Sequence, residues 1–170
     1  GIKMDEQSLA YGMSVLDEIE GAIRPIGMSL RKLDPAETQG IPTGVIQPDG
    51  GEAGWRISCS VVPTHRDNVS TTFVQLYVQL TAPCPERREE LERLARAGNR
   101  QFLMGTLVVS EDSLWMKYVA VLEPTIAMEE SHMQAAVFAF CQQAEVLATR
   151  ARAVCRDGMT AAEALAMEIK

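Results

Sequence analysis

"FLMGTLVVSEDSLWMKYVAVLE", residues 102–123, holds two apolar runs separated by the four polar residues Ser110 to Ser113. Two such runs joined by a short polar break predict a β-hairpin. In the second run Trp115, Val119 and Val121 alternate with Leu114, Met116, Tyr118, Ala120 and Leu122, so both faces are largely apolar apart from Lys117. A sheet with one wet face shows a polar residue at every second position. The second face of this hairpin therefore needs a cover: a helix of the same chain, a second subunit, or a client polypeptide.

The segments around the hairpin supply candidates for the first cover. Downstream, Met133, Val137, Phe140, Ala144 and Leu147 recur at spacings of three and four, the mark of a core-facing helical stripe over residues 127–153. Thr125 stands where a cap belongs, Glu129 and Glu130 fall in the first turns, and Arg150 and Arg152 near the end, all in the sense the helix dipole favours. Upstream, "ERREELERLARAG" follows Pro85, with acidic residues early and Gly98 as the expected stop. Only Leu91, Leu94 and Ala95 form its apolar stripe, so a surface helix is predicted. Its arginines Arg87, Arg88, Arg93, Arg96 and Arg100 are interleaved with Glu86, Glu89, Glu90 and Glu92, which favours ion pairs along a solvated helix over an anion site.

A first hairpin precedes that helix. In "WRISCSVV", Trp55, Ile57, Cys59 and Val61 face one way and Arg56, Ser58 and Ser60 the other. After a turn at "PTHRDN", the run "STTFVQLYVQLT" puts Val74, Leu76, Val78 and Leu80 on an apolar face, with Phe73, Gln75, Tyr77 and Gln79 opposite. An amphipathic helix from Asp5 to about Arg24 carries Leu9, Met13, Leu16, Ile19 and Ile23 and is stopped by Pro25 and Gly27. "MSLRKLD" suits a short edge strand. Residues 35–54, with three prolines and five glycines, read as a long irregular loop holding at most an extended piece at residues 45–47. "TAAE" at Thr160–Glu163 is a capping-box pattern that opens a short terminal helix expected to fray. The expected organisation is one α+β domain over residues 1–157 with a helical tail at 158–170. An antiparallel sheet packs against N-terminal and C-terminal helices, with a short helix between two hairpins.

Composition narrows the function. At 170 residues and 46% hydrophobic residues the chain can bury a substantial core. A net charge of −7 argues against a phosphate-tracking surface, so no nucleic-acid partner is expected. No apolar run reaches the roughly 18 to 20 residues that cross a bilayer, and the opening residues lack a basic stretch leading into an apolar one. The expectation is a cytoplasmic protein without a membrane partner. Cys59, Cys84, Cys141 and Cys155 show no C-x-x-C spacing and are expected to be structural or incidental. Cys141 and Cys155, about 21 Å apart along one predicted helix, cannot bridge each other within the chain.

No catalytic motif emerges. His65 lies in the turn and His132 at the start of the long helix, and neither has ligand-spaced neighbours. "HRD" at His65–Asp67 matches a kinase loop in letters only, without the Gly-rich loop or DFG triplet. The glycines of "PDGGEAG" lead into a strand and lack a following Lys-Ser/Thr pair, so they do not make a phosphate loop. Met128, Met133, Phe138 and Phe140 read as helix packing. No catalytic residue, metal or cofactor is assigned.

"AGNRQFLMGTLVVSEDSLWMKYVAVLE" followed by "MEESHMQAAVFAFCQQAEVLA" resembles the YbjN-like family of bacterial proteins, described as sensory transduction regulators, with a type III secretion chaperone-like fold. The likeness rests on a helix ending just before Asn99, a hairpin with an acidic turn and a last long helix, over roughly residues 55–153. The loop at residues 35–54 departs from it. The resemblance implies a non-enzymatic domain that dimerises or holds a polypeptide client on apolar surface. Phe73, Tyr77, Trp115 and Tyr118 are the candidate protein-interaction residues, because aromatics anchor interfaces. The alternative is a small-molecule sensor or cryptic enzyme with a pocket between sheet and long helix near Met133, Phe140 and Cys141.

Overall fold

The computed structural model describes residues 4–49, 56–101, 104–122 and 129–169. Among them run α1 (Glu6–Ile23), β1 (Met28–Lys32), β2 (Thr43–Pro48), β3 (Ile57–Arg66), β4 (Val69–Gln79), α2 (Arg88–Gln101), β5 (Thr106–Ser110), β6 (Ser113–Leu122), α3 (Glu130–Cys155) and α4 (Ala161–Leu165). The strands form one six-stranded antiparallel sheet in the order β1-β2-β3-β4-β6-β5. The fold is α+β, as expected from the pattern of runs. The chain divides into two compact units, Gly1–Leu76 with Val119–Val137, and Tyr77–Tyr118 with Phe138–Lys170.

In the first unit, Asp5 caps α1 by accepting the Ser8 amide at 2.7 Å, and Gly27, at φ 80, closes the short 3-10 turn that follows the helix. The buried stripe of α1 is Gly12, Val15, Leu16, Ile19, Ala22 and Ile23. It is rotated from the expected one, leaving Leu9 and Met13 half-buried. Gly12 explains the rotation: a Cβ there would lie 2.5 Å from Pro42 Cγ, so the helix touches the segment before β2 at a residue without a side chain. The described part of the segment read as an irregular loop, residues 35–49, is structured. A 3-10 turn at Pro35–Thr38, capped by Asp34, leads into β2, which pairs on one side with β1 and on the other with β3.

β2 places Ile46 opposite Leu30 and Ile57, and Thr43 opposite Ser60. The Thr43 and Ser60 hydroxyls bond each other at 3.1 Å in buried surroundings, which satisfies a pair of polar groups that alternation alone assigns to the wetter side. β3 runs on through Pro63 to Arg66, so "PTHRDN" is mostly strand and the turn is only Asp67-Asn68, at φ 53 and 66. Two consecutive left-handed residues make the type of turn whose twist suits a tight hairpin. Trp55, and the cap position Thr125 further on, lie outside the described residues.

In the second unit, Val78, Leu80, Leu91, Leu94, Leu107, Leu114 and Met116 are buried with Phe140, Ala144, Leu147, Ala148, Ala151 and Val154 of α3. The stripe expected for α3, from Met133 to Leu147, is buried at each position. Burying such Leu and Phe side chains contributes roughly 1.5–3 kcal/mol apiece. The exception is Phe138, 55% exposed on the helix's outer side, where core packing was expected. Ion pairs join Arg88 to Glu92 and Arg93 to Glu89 and Glu90 along α2, as its charge pattern predicted.

α2 does not stop at Gly98, which is buried, but continues to Gln101. That extra turn carries Asn99, whose Nδ2 donates to the Leu107 carbonyl at 3.0 Å while its Oδ1 accepts the Leu107 amide at 2.7 Å. One side chain thus fills a backbone rung on the edge strand β5. β5 begins after Gly105, at φ 78, where a Cβ would stand 2.7 Å from the Lys117 carbonyl oxygen. The β5–β6 turn is again two left-handed residues, Glu111-Asp112, at φ 51 and 64.

Candidate interaction surface

Strand alternation decides which apolar side chains are left facing outward. On β4, Val74, Leu76, Val78 and Leu80 are buried, while Phe73, Gln75 and Tyr77 are half-buried and Gln79 is exposed. On β6, Leu114 and Met116 are buried, Trp115 is half-buried, and Lys117, Val119 and Val121 are exposed. Each unit therefore presents its own apolar outer surface.

In the second unit, Trp115 stands opposite Val108 on β5, and Lys117 opposite Thr106. Opposite residues of an antiparallel pair share a face. Gln79 Nε2 donates to Ser113 Oγ at 3.0 Å, which puts the Tyr77 and Gln79 side of β4 on the same face as Ser113 and Trp115. Tyr77, Val108 and Trp115 are thus brought together, with Val108 49% exposed. Tyr118 is not among them: it alternates with Trp115 and shares the side of Leu114 and Met116, half-buried.

Trp115 is also oriented. Its indole Nε1 donates to the Ser110 carbonyl at 3.3 Å, which lays the ring along its own turn. An indole whose polar edge is satisfied locally presents its apolar surface without a desolvation cost to a partner. In the first unit, Phe73 stands on the outward side of β4, and Val119 and Val121 are 41% and 63% exposed. The exposed valines carry the surface as much as the aromatics do. Sequence reasoning passed over Val108, whose signal was its place in an apolar run with no polar alternate.

Among the described residues no three His, Cys, Asp or Glu side chains converge as a metal site. His65 Nδ1 bonds Ser70 Oγ at 2.9 Å at the exposed tip of the β3–β4 hairpin, with no enclosing walls. Burial pushes the Cys59 thiol up to about 12, and burial with the nearby Glu145 charge pushes Cys141 up to about 11, so neither is a thiolate at neutral pH. Met133 and Phe140, named for a pocket, are 4% and 0% exposed.

The cysteines hold a pairing that the sequence reading left open. Cys84 and Cys155 form a disulfide across 71 positions, with their Cα atoms 6.1 Å apart. The pair lies in the second unit, between the turn that opens α2 and the last residue of α3. No helix among the described residues is long and apolar enough to cross a membrane. Comparison of the chain with protein-family models and with curated proteins found no match.

Proposed function

We propose that this chain is a non-enzymatic protein-interaction domain that pairs with a second copy of itself through the outward apolar surface of its strands, in a chaperone-like or regulatory role. The observation that carries the reading is apolar side chains left uncovered on strands whose other side is core, Val108 in the second unit and Val119 and Val121 in the first. Neighbouring exposed apolar side chains, as at Val119 and Val121 on one side of β6, mark interaction sites. Trp115, Tyr77 and Phe73 act as the aromatic anchors, and Tyr118 as support behind them. The YbjN-like, secretion chaperone-like resemblance of the sequence is part of this proposal.

No cofactor, metal, nucleic acid or membrane enters this reading. A cytoplasmic location is part of this proposal, with a condition: disulfides persist in oxidising compartments and are reduced in the cytosol, so Cys84–Cys155 must be reversible there. Light scattering across a dilution series tests the pairing. A mass near twice 18.6 kDa is expected. Val108→Glu, an exposed substitution that leaves the core intact, is expected to return the chain to a monomer. A monomer at every concentration, or a dimer indifferent to charges at positions 108, 119 and 121, would sink the reading.

A further inference from the structure

Three separate ties gather the C-terminal end of the second unit onto the first turns of α2. Cys84 precedes the 3-10 turn leading into α2 and is bonded to Cys155 at the end of α3. Arg87 donates from Nε to the Val154 carbonyl at 3.1 Å and from Nη2 to the Met159 carbonyl. Glu90 accepts the Ala161 amide at 2.8 Å while holding Arg93. Residues 156–169 thereby form a hook that reverses at Gly158, φ 68, and lays α4 beside α2.

The hook is weakly packed for an element so firmly tied. The buried side chains of α4 are Ala161 and Ala164. An open cleft of about 480 Å³, lined by Glu90, Arg93, Ala97, Thr160 and Leu165 among others, remains between α2 and α4. Alanine buries little apolar surface, so the hook itself is held by its bonds to Arg87 and Glu90, while the disulfide fixes its root, Cys155 at the end of α3, against Cys84. A chain of 170 residues with a core this extensive does not require a staple to fold, unlike small disulfide-rich domains. The bond instead joins the root of the hook to the residue before the turn that opens α2. It is also approachable from one side: Cys155 is half-buried, while Cys84 is only 8% exposed.

We propose that Cys84–Cys155 is a thiol–disulfide latch: oxidised, it locks the hook on α2, and reduced, it lets the hook leave and uncovers the α2 flank at Glu90, Arg93 and Ala97. The inference stands on the second unit alone and does not depend on pairing through the strands. Closing takes a small-molecule disulfide of the glutathione class. The Cys155 thiolate attacks one sulfur of that disulfide, its S–S bond breaks, and one glutathione thiolate leaves. Cys84, its proton lost to water, attacks the Cys155 sulfur of the mixed disulfide and expels the second glutathione thiolate. Two protein thiols have then lost two electrons, and one disulfide has become two thiols that take up the two protons. Opening is the reverse exchange, with an incoming thiolate attacking the sulfur of Cys155, the less buried of the two residues.

Amide hydrogen exchange on the full chain, equilibrated in glutathione buffers of graded redox ratio, tests the latch. On reduction the amides of Ala161, Ala164 and Ala166 are expected to lose protection at least tenfold, at the redox ratio where thiol counting finds the bond opened. Those of α1 and β1 to β3 are expected to stay unchanged. Cys155→Ser, which keeps Cys84, is expected to behave as the open form at every ratio. Equal protection of the hook in both states would overturn the proposal. So would a loss spread over both units, which would make the bond a general staple, or a count of four thiols at every ratio. The readouts on unsubstituted protein stand even if the variant does not fold.

Discussion

Among the described residues, two hairpins share the same turn and have different fates. β3–β4 turns at Asp67-Asn68 and β5–β6 at Glu111-Asp112, each with two left-handed residues and neither with the glycine such turns favour. The first tip stands alone: its bonds are local, Thr64 to the Thr71 carbonyl and His65 to Ser70, and Val69 is 62% exposed. The second tip is held from three directions. The Asp112 carbonyl accepts the Cys84 amide at 2.8 Å, its carboxylate pairs with Arg88 at 2.9 Å, and the Leu114 amide donates to the Thr81 hydroxyl at 3.1 Å. Identical local geometry thus gives a free tip in one unit and an anchored one in the other. Anchoring comes from what the neighbouring elements offer, not from the turn.

The widest gap between the hairpins is expected in their side chains. Leu114→Ala at the base of the anchored turn, where the residue is fully buried, should cost about 2–5 kcal/mol. Val69→Ala at the free tip should change stability by less than about 0.5 kcal/mol. Denaturant unfolding of both variants makes the comparison directly, and similar losses would mean that the first tip is covered in solution.

Next in size is Asn99→Ala, expected to cost about 1–3 kcal/mol because it leaves the Leu107 amide and carbonyl without their partner. Asn99→Asp is expected to keep the amide's bond and lose the carbonyl's, and so to fall between. A smaller effect of opposite sign is expected for Asn68→Gly, which relieves a left-handed side chain and should gain up to about 1 kcal/mol. Asp112→Gly removes the same strain but also the Arg88 pair, so its gain should be smaller or absent. Equal gains would show that the anchoring of the second tip is idle.

The smallest effect concerns acid. The Ala161 amide, then Arg93, hold Glu90 below its ordinary value of 4.5, and the Thr160 amide and hydroxyl do the same for Glu163. A depressed carboxylate contributes stability above its unfolded value and loses it as pH falls through its folded one. The hook should therefore loosen below about pH 4.5. Amide signals of Ala161 and Glu163 followed by NMR through that range should shift before those of the core do.

The legible part of the molecule was the part with period. The α3 stripe, the β4 alternation and the capping box at Thr160 were readable because burial repeats on the same residues that set the pattern. β2 was hidden because its strand character comes from two neighbours, β1 and β3, while its own residues include Gly44 and Pro48. Likewise Pro63 disguised the last third of β3, and the helix-ending sign of Gly98 was overruled by its packing. On the candidate surface, the sequence reading grouped Tyr118 with Trp115 although they alternate along β6, and it took Phe138, which stays outside, for helix packing. The Cys84–Cys155 bond was beyond reach for the same reason as any contact at 71 positions: spacing excludes pairs more readily than it finds them.

Asn99 has a consequence for crowding. A sheet that ends in an open strand is a template, and fibres grow by adding one backbone to the next. At β5 the central rung is already taken by a side chain that presents an amide donor and carbonyl acceptor just as an incoming strand would. The protein thus carries a terminator for its own polymerisation at that end, in a single residue that a helix one turn shorter would have left out.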